Sequence, residues 1–216
     1  MLLNVSDLAE TMGPDYCAAV MGLYVFTGED CTSAFKGKGK VAALKKLEKS
    51  PRFQNTFRQL GDEWQTNQGL LQSLEQFTCI MYGMSRETSV NTACAKLLRK
   101  MVGEDERLTS KSKVDLARLP PCQAALIPHI QRANHRAAIY KRADDPILEA
   151  PQPHADGQGW MKTENGILEP IWSQEPVLPP SLVDLLDTVS HEEDENEPEN
   201  EFDYDDVFDS DDDSDE

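Results

Sequence analysis

The sequence predicts a mainly α-helical body followed by one small β-hairpin and a disordered, acidic C-terminal tail. Three observations carry that expectation. Apolar residues recur at helical spacing through most of residues 1–143. An Asn-Gly pair, Asn165-Gly166, stands between two short segments that carry Trp160 and Trp172. Charge is gathered at one end: of 39 acidic residues in a chain of 216, 16 lie between His191 and Glu216, where there is no Lys or Arg, leaving 23 acids against 21 bases in residues 1–190. The net charge of -18 thus belongs to the tail. The body is close to neutral, so overall acidity does not exclude a body that contacts nucleic acid.

The elements follow in chain order. Asp7, Glu10 and Asp15 suit helix starts and surface charge. Pro14 to Phe26 is apolar nearly all round, as in a helix buried in the interior, although its second half also suits a strand. Val41 to Lys49 reads as an amphipathic helix with Val41, Leu44 and Leu47 on the core face, and Phe53, Phe57 and Leu60 continue the pattern. Leu70 to Tyr82 and Val90 to Val102 repeat it as core helices. Residues 103–121 are polar, end in Pro120-Pro121 and read as a surface loop. Gln123 to Arg142 then forms a long helix bearing Arg132, Arg136, Lys141 and Arg142, with Pro128 in its first turn or at a kink. His129 and His135 on this helix pair with no Cys or carboxylate in a ligand pattern and are expected on its surface.

Residues 144–188 read as a Pro-rich linker. Asn165-Gly166 is placed at the centre of a type I′ hairpin turn, whose two indoles pack back on the helices or form an aromatic peptide-binding surface. Ser181 to Thr188 suits a short helix. Residues 189–216 hold too few apolar groups to offset the entropy of ordering. No apolar run approaches the ~18 residues a membrane span needs, and the N-terminus MLLNVSDLAETMG has no basic region of a secretory signal. The five cysteines, Cys17, Cys31, Cys79, Cys94 and Cys122, are an odd, scattered set without a C-x-x-C pair. They read as reduced thiols, with Cys17, Cys79 and Cys94 in the core and Cys31 a poor nucleophile beside two acids. An intracellular location, nuclear or cytoplasmic, is expected, and secretion is not.

The segment richest in chemistry is 23–49, LYVFTGEDCTSAFKGKGKVAALKKLEK. Asp30 is delivered to the end of an apolar helix, where a carboxylate suits a hard cation such as Mg²⁺. Gly37 and Gly39 permit unusual backbone angles, and backbone N–H groups at the following helix start can receive a phosphate. From Lys36 to Arg58 there are eight bases (Lys36, Lys38, Lys40, Lys45, Lys46, Lys49, Arg52, Arg58) and one acid, Glu48. A phosphate backbone is the natural partner of such a patch. The Gly-Lys string also suits a flexible surface turn. It is not a P-loop, because no Gly precedes it at the required spacing and no Ser or Thr follows Lys40.

The order of these parts resembles the junction in flap-endonuclease and XPG-type PIN-fold nucleases where the last metal-binding aspartate leads into a DNA-gripping helix-hairpin-helix. More closely, Thr27-Gly28, Asp30, Thr32-Ser33-Ala34-Phe35 and Gly37-Lys38-Gly39-Lys40 resemble a PIN-like nuclease segment of uncharacterised, transposon-derived animal proteins. Leu119-Pro120-Pro121 and Gly159-Trp160 extend the likeness over about residues 1–175. Position 29 is Glu and position 24 is Tyr where that family has Cys and His, and the acidic tail replaces a cysteine-rich end. The resemblance implies a helix-hairpin-helix-like element that binds DNA through Lys36, Gly37, Lys38, Gly39, Lys40, Lys45 and Lys46. It also implies Mg²⁺ held partly by Asp30 in a complete family member. The other carboxylates of a two-metal site would come from an upstream half, so this chain alone is expected to bind without independent catalysis, and to belong to an active nuclease only if that half exists.

A second class of function is a protein-interaction module that acts through the tail and the Trp160/Trp172 hairpin. The tail interleaves acids with Phe202, Tyr204, Val207 and Phe208. It suits a basic protein such as a histone, or the chain's own Lys36–Arg58 patch. Ser210, followed by three aspartates, suits an acidophilic kinase.

Overall fold

The computed structural model describes residues 4–102, 115–147 and 149–174. The Ser181–Thr188 helix, the acidic tail with Ser210, and most of the 103–121 loop lie outside the described residues. The protein is mainly helical: α1 (Val5–Met12), α2 (Pro14–Phe26), α3 (Lys40–Glu48), α4 (Pro51–Gln59), α5 (Gln68–Met81), α6 (Val90–Val102) and α7 (Gln123–Lys141) are followed by a two-stranded antiparallel sheet, β1 (Trp160–Lys162) with β2 (Leu168–Pro170). Among the described residues one 3₁₀ turn, Leu116–Arg118, precedes α7. No helix among the described residues is long and apolar enough to cross a membrane.

Local chemistry explains most boundaries. Pro14 and Pro51 occupy first turns, where their missing N–H costs nothing. Asn4 caps α1 by accepting from Ser6 N–H at 3.1 Å, and Asn67 caps α5 by accepting from Leu70 N–H at 2.9 Å. The buried Glu75 on α5 accepts the Val90 N–H at the start of α6 (3.0 Å) and Gln123 Nε2 of α7 (3.1 Å), so one carboxylate joins three helices. Gly61 ends the α4 turn at φ 84, and a Cβ there would stand 2.5 Å from the Ala137 carbonyl carbon. Only glycine allows α4 to approach α7 so closely.

The core surrounds α2, which packs against α4 and α7 and also meets α1 and α3. Ala19, Leu23, Val25 and Phe26 are buried in it, and the alternative of a strand for its second half does not arise. Phe26, Phe57 and Phe77 form an edge-to-face cluster with centroids 4.8 to 6.4 Å apart.

Several expectations are corrected. Leu47 is buried and Leu44 packs against the core as expected, but Val41 is 68% exposed and Ala43, one turn before Leu47, is buried in its place. His129 and His135 are buried rather than on the surface. His129 lies between Phe26 and Phe35, with centroids 5.3 and 5.1 Å away, and its Nε2 donates to the Phe26 carbonyl at 2.8 Å. His135 Nε2 is 3.2 Å from the Pro151 carbonyl. Cys17 is only half-buried, whereas Cys79 and Cys94 are buried. Burial pushes the Cys79 thiol up to about 12 and the Cys94 thiol up to about 11, so both stay protonated at neutral pH.

The hairpin forms where expected but not by the expected turn. Gly166 N–H donates to Thr163 O at 2.9 Å, which makes Glu164 and Asn165 the central residues, and Gly166 follows them at φ 79. The two indoles also differ: Trp160 is half-buried, while Trp172 is 66% exposed. Pro128 stands inside α7 rather than in its first turn. It deprives the Ala124 carbonyl of its helical donor, and Gln174 N–H supplies the replacement at 2.9 Å. Arg132 adds bonds from Nη1 to the carbonyls of Gly159 (3.2 Å) and Ile171 (2.5 Å), and the hairpin segment is thereby tied to α7.

Candidate nucleic-acid interface

The Gly-Lys segment is positioned from the C-terminus of α2, whose last turn leaves carbonyls without helical partners. Leu23 O keeps a helical donor, the Thr27 N–H (2.9 Å), and also accepts from Thr27 Oγ1 (2.7 Å), while the carbonyls beyond it are taken from outside the helix: Val25 O accepts from Thr32 Oγ1 (2.6 Å) and Phe26 O from His129 Nε2. Tyr24 O accepts from Lys40 Nζ (2.9 Å), which also donates to Gly28 O and lies 4.0 Å above the Tyr24 ring. The first residue of α3 thus reaches back to cap α2, a favourable place for a cation. Burial lowers the Lys40 pKa, with Glu29 opposing.

Within the connecting loop Glu29 and Thr32 form a tight bridge, with Asp30 and Cys31 at its tip. The Glu29 carboxylate is almost fully buried. Its Oε1 accepts from Cys31 N–H (3.3 Å) and stands 3.4 Å from Arg136 Nε, and its Oε2 accepts from the Tyr140 hydroxyl (3.4 Å). Asp30 beside it is exposed. Among the described residues no group of three His, Cys, Asp or Glu side chains converges on one point. Asp30 therefore stands as a single exposed carboxylate whose neighbour is already engaged, and the described residues do not by themselves fit the multi-carboxylate set that a Mg²⁺ site requires.

The Gly-Lys turn is closed by Lys38 N–H donating to Phe35 O at 3.0 Å, with Phe35 buried beneath it. Gly37 has φ 70 and needs its glycine, but Gly39, at φ -70, does not, contrary to the expectation that both do. A Cβ added at either would meet nothing within 4 Å. Gly39 is the N-cap of α3 and provides no side chain to its first N–H groups. Lys36 is exposed and pairs with Asp115 at 2.7 Å, and Lys38 Nζ lies 5.1 Å above the Tyr82 ring. Lys45 and Lys46 occupy the last turn of α3, Lys45 exposed and Lys46 half-buried.

The bases of α7 are used differently. Lys141 donates to Asp62 Oδ1 at 2.6 Å and to Arg58 O, and Arg142 donates to the carbonyls of Gly61 (2.9 Å) and Asp62 (2.6 Å) while its guanidinium lies over Trp64. With Arg132 buried and Arg136 on Glu29, this helix holds loops by its cations. Glu29, Asn134 and Tyr140 also act as positioning residues, roles that the sequence does not announce. Glu29 did stand out as a departure from the family pattern, and an acid beside an apolar run was the available signal. No protein-family model, curated protein or solved structure matches this chain.

Proposed function

We propose that the chain binds the sugar-phosphate backbone of nucleic acid through residues 36–46, as a PIN-nuclease-like segment does at its hairpin. One observation carries this reading: the start of α3 is open. Gly39 supplies no capping side chain, its backbone angles do not require glycine, and nothing of the chain occupies the space a Cβ would take. An external anion can reach the Lys40, Val41 and Ala42 N–H groups there, with the dipole of α3 in its favour. Lys36 and Lys38 flank the turn. Lys45 follows five residues along the helix, about 7.5 Å on at 1.5 Å per residue, close to the axial rise of two phosphates on one strand, about 7 Å. Lys40 serves chiefly by holding the turn in place through α2.

The test is fluorescence anisotropy of a labelled duplex against the full chain and a chain ending at Thr188, over a series of salt concentrations. Binding should weaken with a slope of about -0.9 in log K against log salt per phosphate contacted. Charge reversal at Lys36, Lys38 and Lys46 should abolish it. Absence of binding by both forms at low salt overturns the reading.

A second reading, protein recognition by the hairpin, is favoured by the exposure of Met161 (49%), Ile167 (59%), Leu168 (44%) and Trp172 (66%) on one short element. Trp172 lies 5.5 Å from the Arg132 guanidinium and is mostly exposed, so Trp172→Ala should cost less than about 1 kcal/mol of stability. A salt-insensitive interaction lost in that variant supports this reading. An interaction unchanged in it removes the hairpin from consideration.

A further inference from the structure

The loop that follows α4 and the segment that precedes the hairpin face one another across an open groove of about 850 Å³. Glu63, Trp64 and Asn67 line one wall, and Glu149, Asp156 and Gln158 belong to the other. Both walls are fixed to α7. Asn134 Nδ2 donates to the carbonyls of Glu63 (2.9 Å) and Trp64 (3.1 Å), and His135 holds the Pro151 carbonyl. The groove is thus formed before anything enters it.

Its chemistry is one-sided. Three carboxylates line it and no Lys or Arg does, and none of the three has a cationic partner among the described residues. Gln158, the buried member of the lining, is 1% exposed, and its Oε1 has no hydrogen-bond partner among the described residues. Buried polar atoms are nearly always paired, so a lone acceptor under an acidic groove points to a donor from outside. Gln158 is part of the groove lining, and the terminal torsion of a glutamine is broad enough for its oxygen to meet an occupant there. Neighbouring acceptors already show what suits this wall: Arg142 lies 4.8 Å from the Trp64 ring centroid and donates to the carbonyls of Gly61 and Asp62.

We propose that this groove binds a peptide segment through an arginine side chain, the guanidinium bridging the Glu63 and Asp156 carboxylates and donating to Gln158 Oε1. A guanidinium has five donors and no acceptor, arranged as a planar fork that can serve two carboxylates and an amide oxygen together. An ammonium offers a single centre and meets such a set less well. The site is separate from residues 36–46 and does not depend on the nucleic-acid reading.

The acidic tail would also attract a basic peptide, so the test must locate binding by residue. The full ¹⁵N-labelled chain is titrated with the peptide acetyl-Gly-Arg-Gly-Arg-Gly-amide and with matched lysine and citrulline peptides, and the amide and indole resonances are followed. The arginine peptide should shift residues 63–67 and 149–158 and the Trp64 indole. Glu63→Gln with Asp156→Asn, both at exposed positions, should weaken those shifts by about tenfold in Kd or more while leaving the melting temperature unchanged. Gln158→Leu should weaken binding without lowering stability, since it removes an unpaired acceptor. Shifts confined to the tail, no shifts at all, or an equal response to the citrulline peptide overturns the site. An equal response to the lysine peptide overturns the assignment of guanidinium.

Discussion

The backbone N–H of Gly61 donates to Oδ1 of Asn134 at 2.8 Å, across more than seventy residues of sequence. The same amide's nitrogen reaches the carbonyls of Glu63 and Trp64, so one side chain on α7 satisfies three backbone groups of the loop between α4 and α5. Asn134→Ala should lower the unfolding free energy by about 2 to 4 kcal/mol, because it leaves a buried donor and two acceptors unpaired. Urea denaturation measures it. A loss below 1 kcal/mol would mean that water replaces the amide.

Two glycines should respond in opposite ways. Gly61→Ala puts a methyl into the Ala137 backbone at a positive φ and should cost at least about 3 kcal/mol. Gly39→Asp, at an ordinary φ in open space, adds a capping carboxylate and should stabilise α3 by about 0.5 kcal/mol. It should also repel phosphate. Greater thermal stability together with weaker DNA binding is the expected pair of results, and unimpaired binding would place the phosphate elsewhere.

His129 should give stability a pH dependence of known sign. Burial chiefly, and Arg132 to a lesser extent, push its pKa down to about 4, against a hydrogen bond to Phe26 O that pulls it up. The unfolded chain binds the proton near pH 6.5 and the folded chain only near 4. Stability should therefore be full above pH 6.5 and fall as pH drops toward 4, by up to about 3 kcal/mol from this group. His129→Leu should be less stable at pH 7, since Phe26 O loses its donor, and its deficit should narrow as the pH falls. A deficit independent of pH would show that the imidazole is not held neutral.

Lys40 and Lys46 separate structure from binding. Lys40→Ala removes the donor to Tyr24 O and Gly28 O and should cost about 1 kcal/mol of stability. Lys46→Ala should leave thermal unfolding unchanged and lower the salt slope of DNA binding by about one contact. Identical behaviour of the two would remove the distinction.

Much of the helical framework was legible because it is written locally. The period in Leu70, Leu74 and Phe77 marks a helix whatever surrounds it, whereas a proline does not fix its own place: Pro14 and Pro51 stand in first turns and Pro128 inside α7. Val41 was misplaced because a nine-residue helix admits two apolar stripes that share Leu47, and contact with the rest of the core selected the one that includes Ala43. His129 was misplaced because an imidazole suits water as well as a carbonyl. Its burial required Phe26 O, which lies 103 residues away in the chain. The Asn-Gly pair marked a hairpin but not its register, since the Thr163 side chain and backbone bonds to Ile167 moved the turn back by one residue.

The candidate site divides in the same way. Composition and spacing alone determined that bases concentrate in residues 36–58, that α3 begins after a glycine, and that the body is helical, because charge counts and periodicity need no partner. Tertiary structure decided which cations still face outward. Lys40 caps α2, Arg132 holds the hairpin, Arg136 meets Glu29, and Lys141 and Arg142 hold the loop after α4. A long basic side chain reaches several ångströms and takes whichever carbonyl or carboxylate the fold brings near, and those acceptors come from segments distant in sequence.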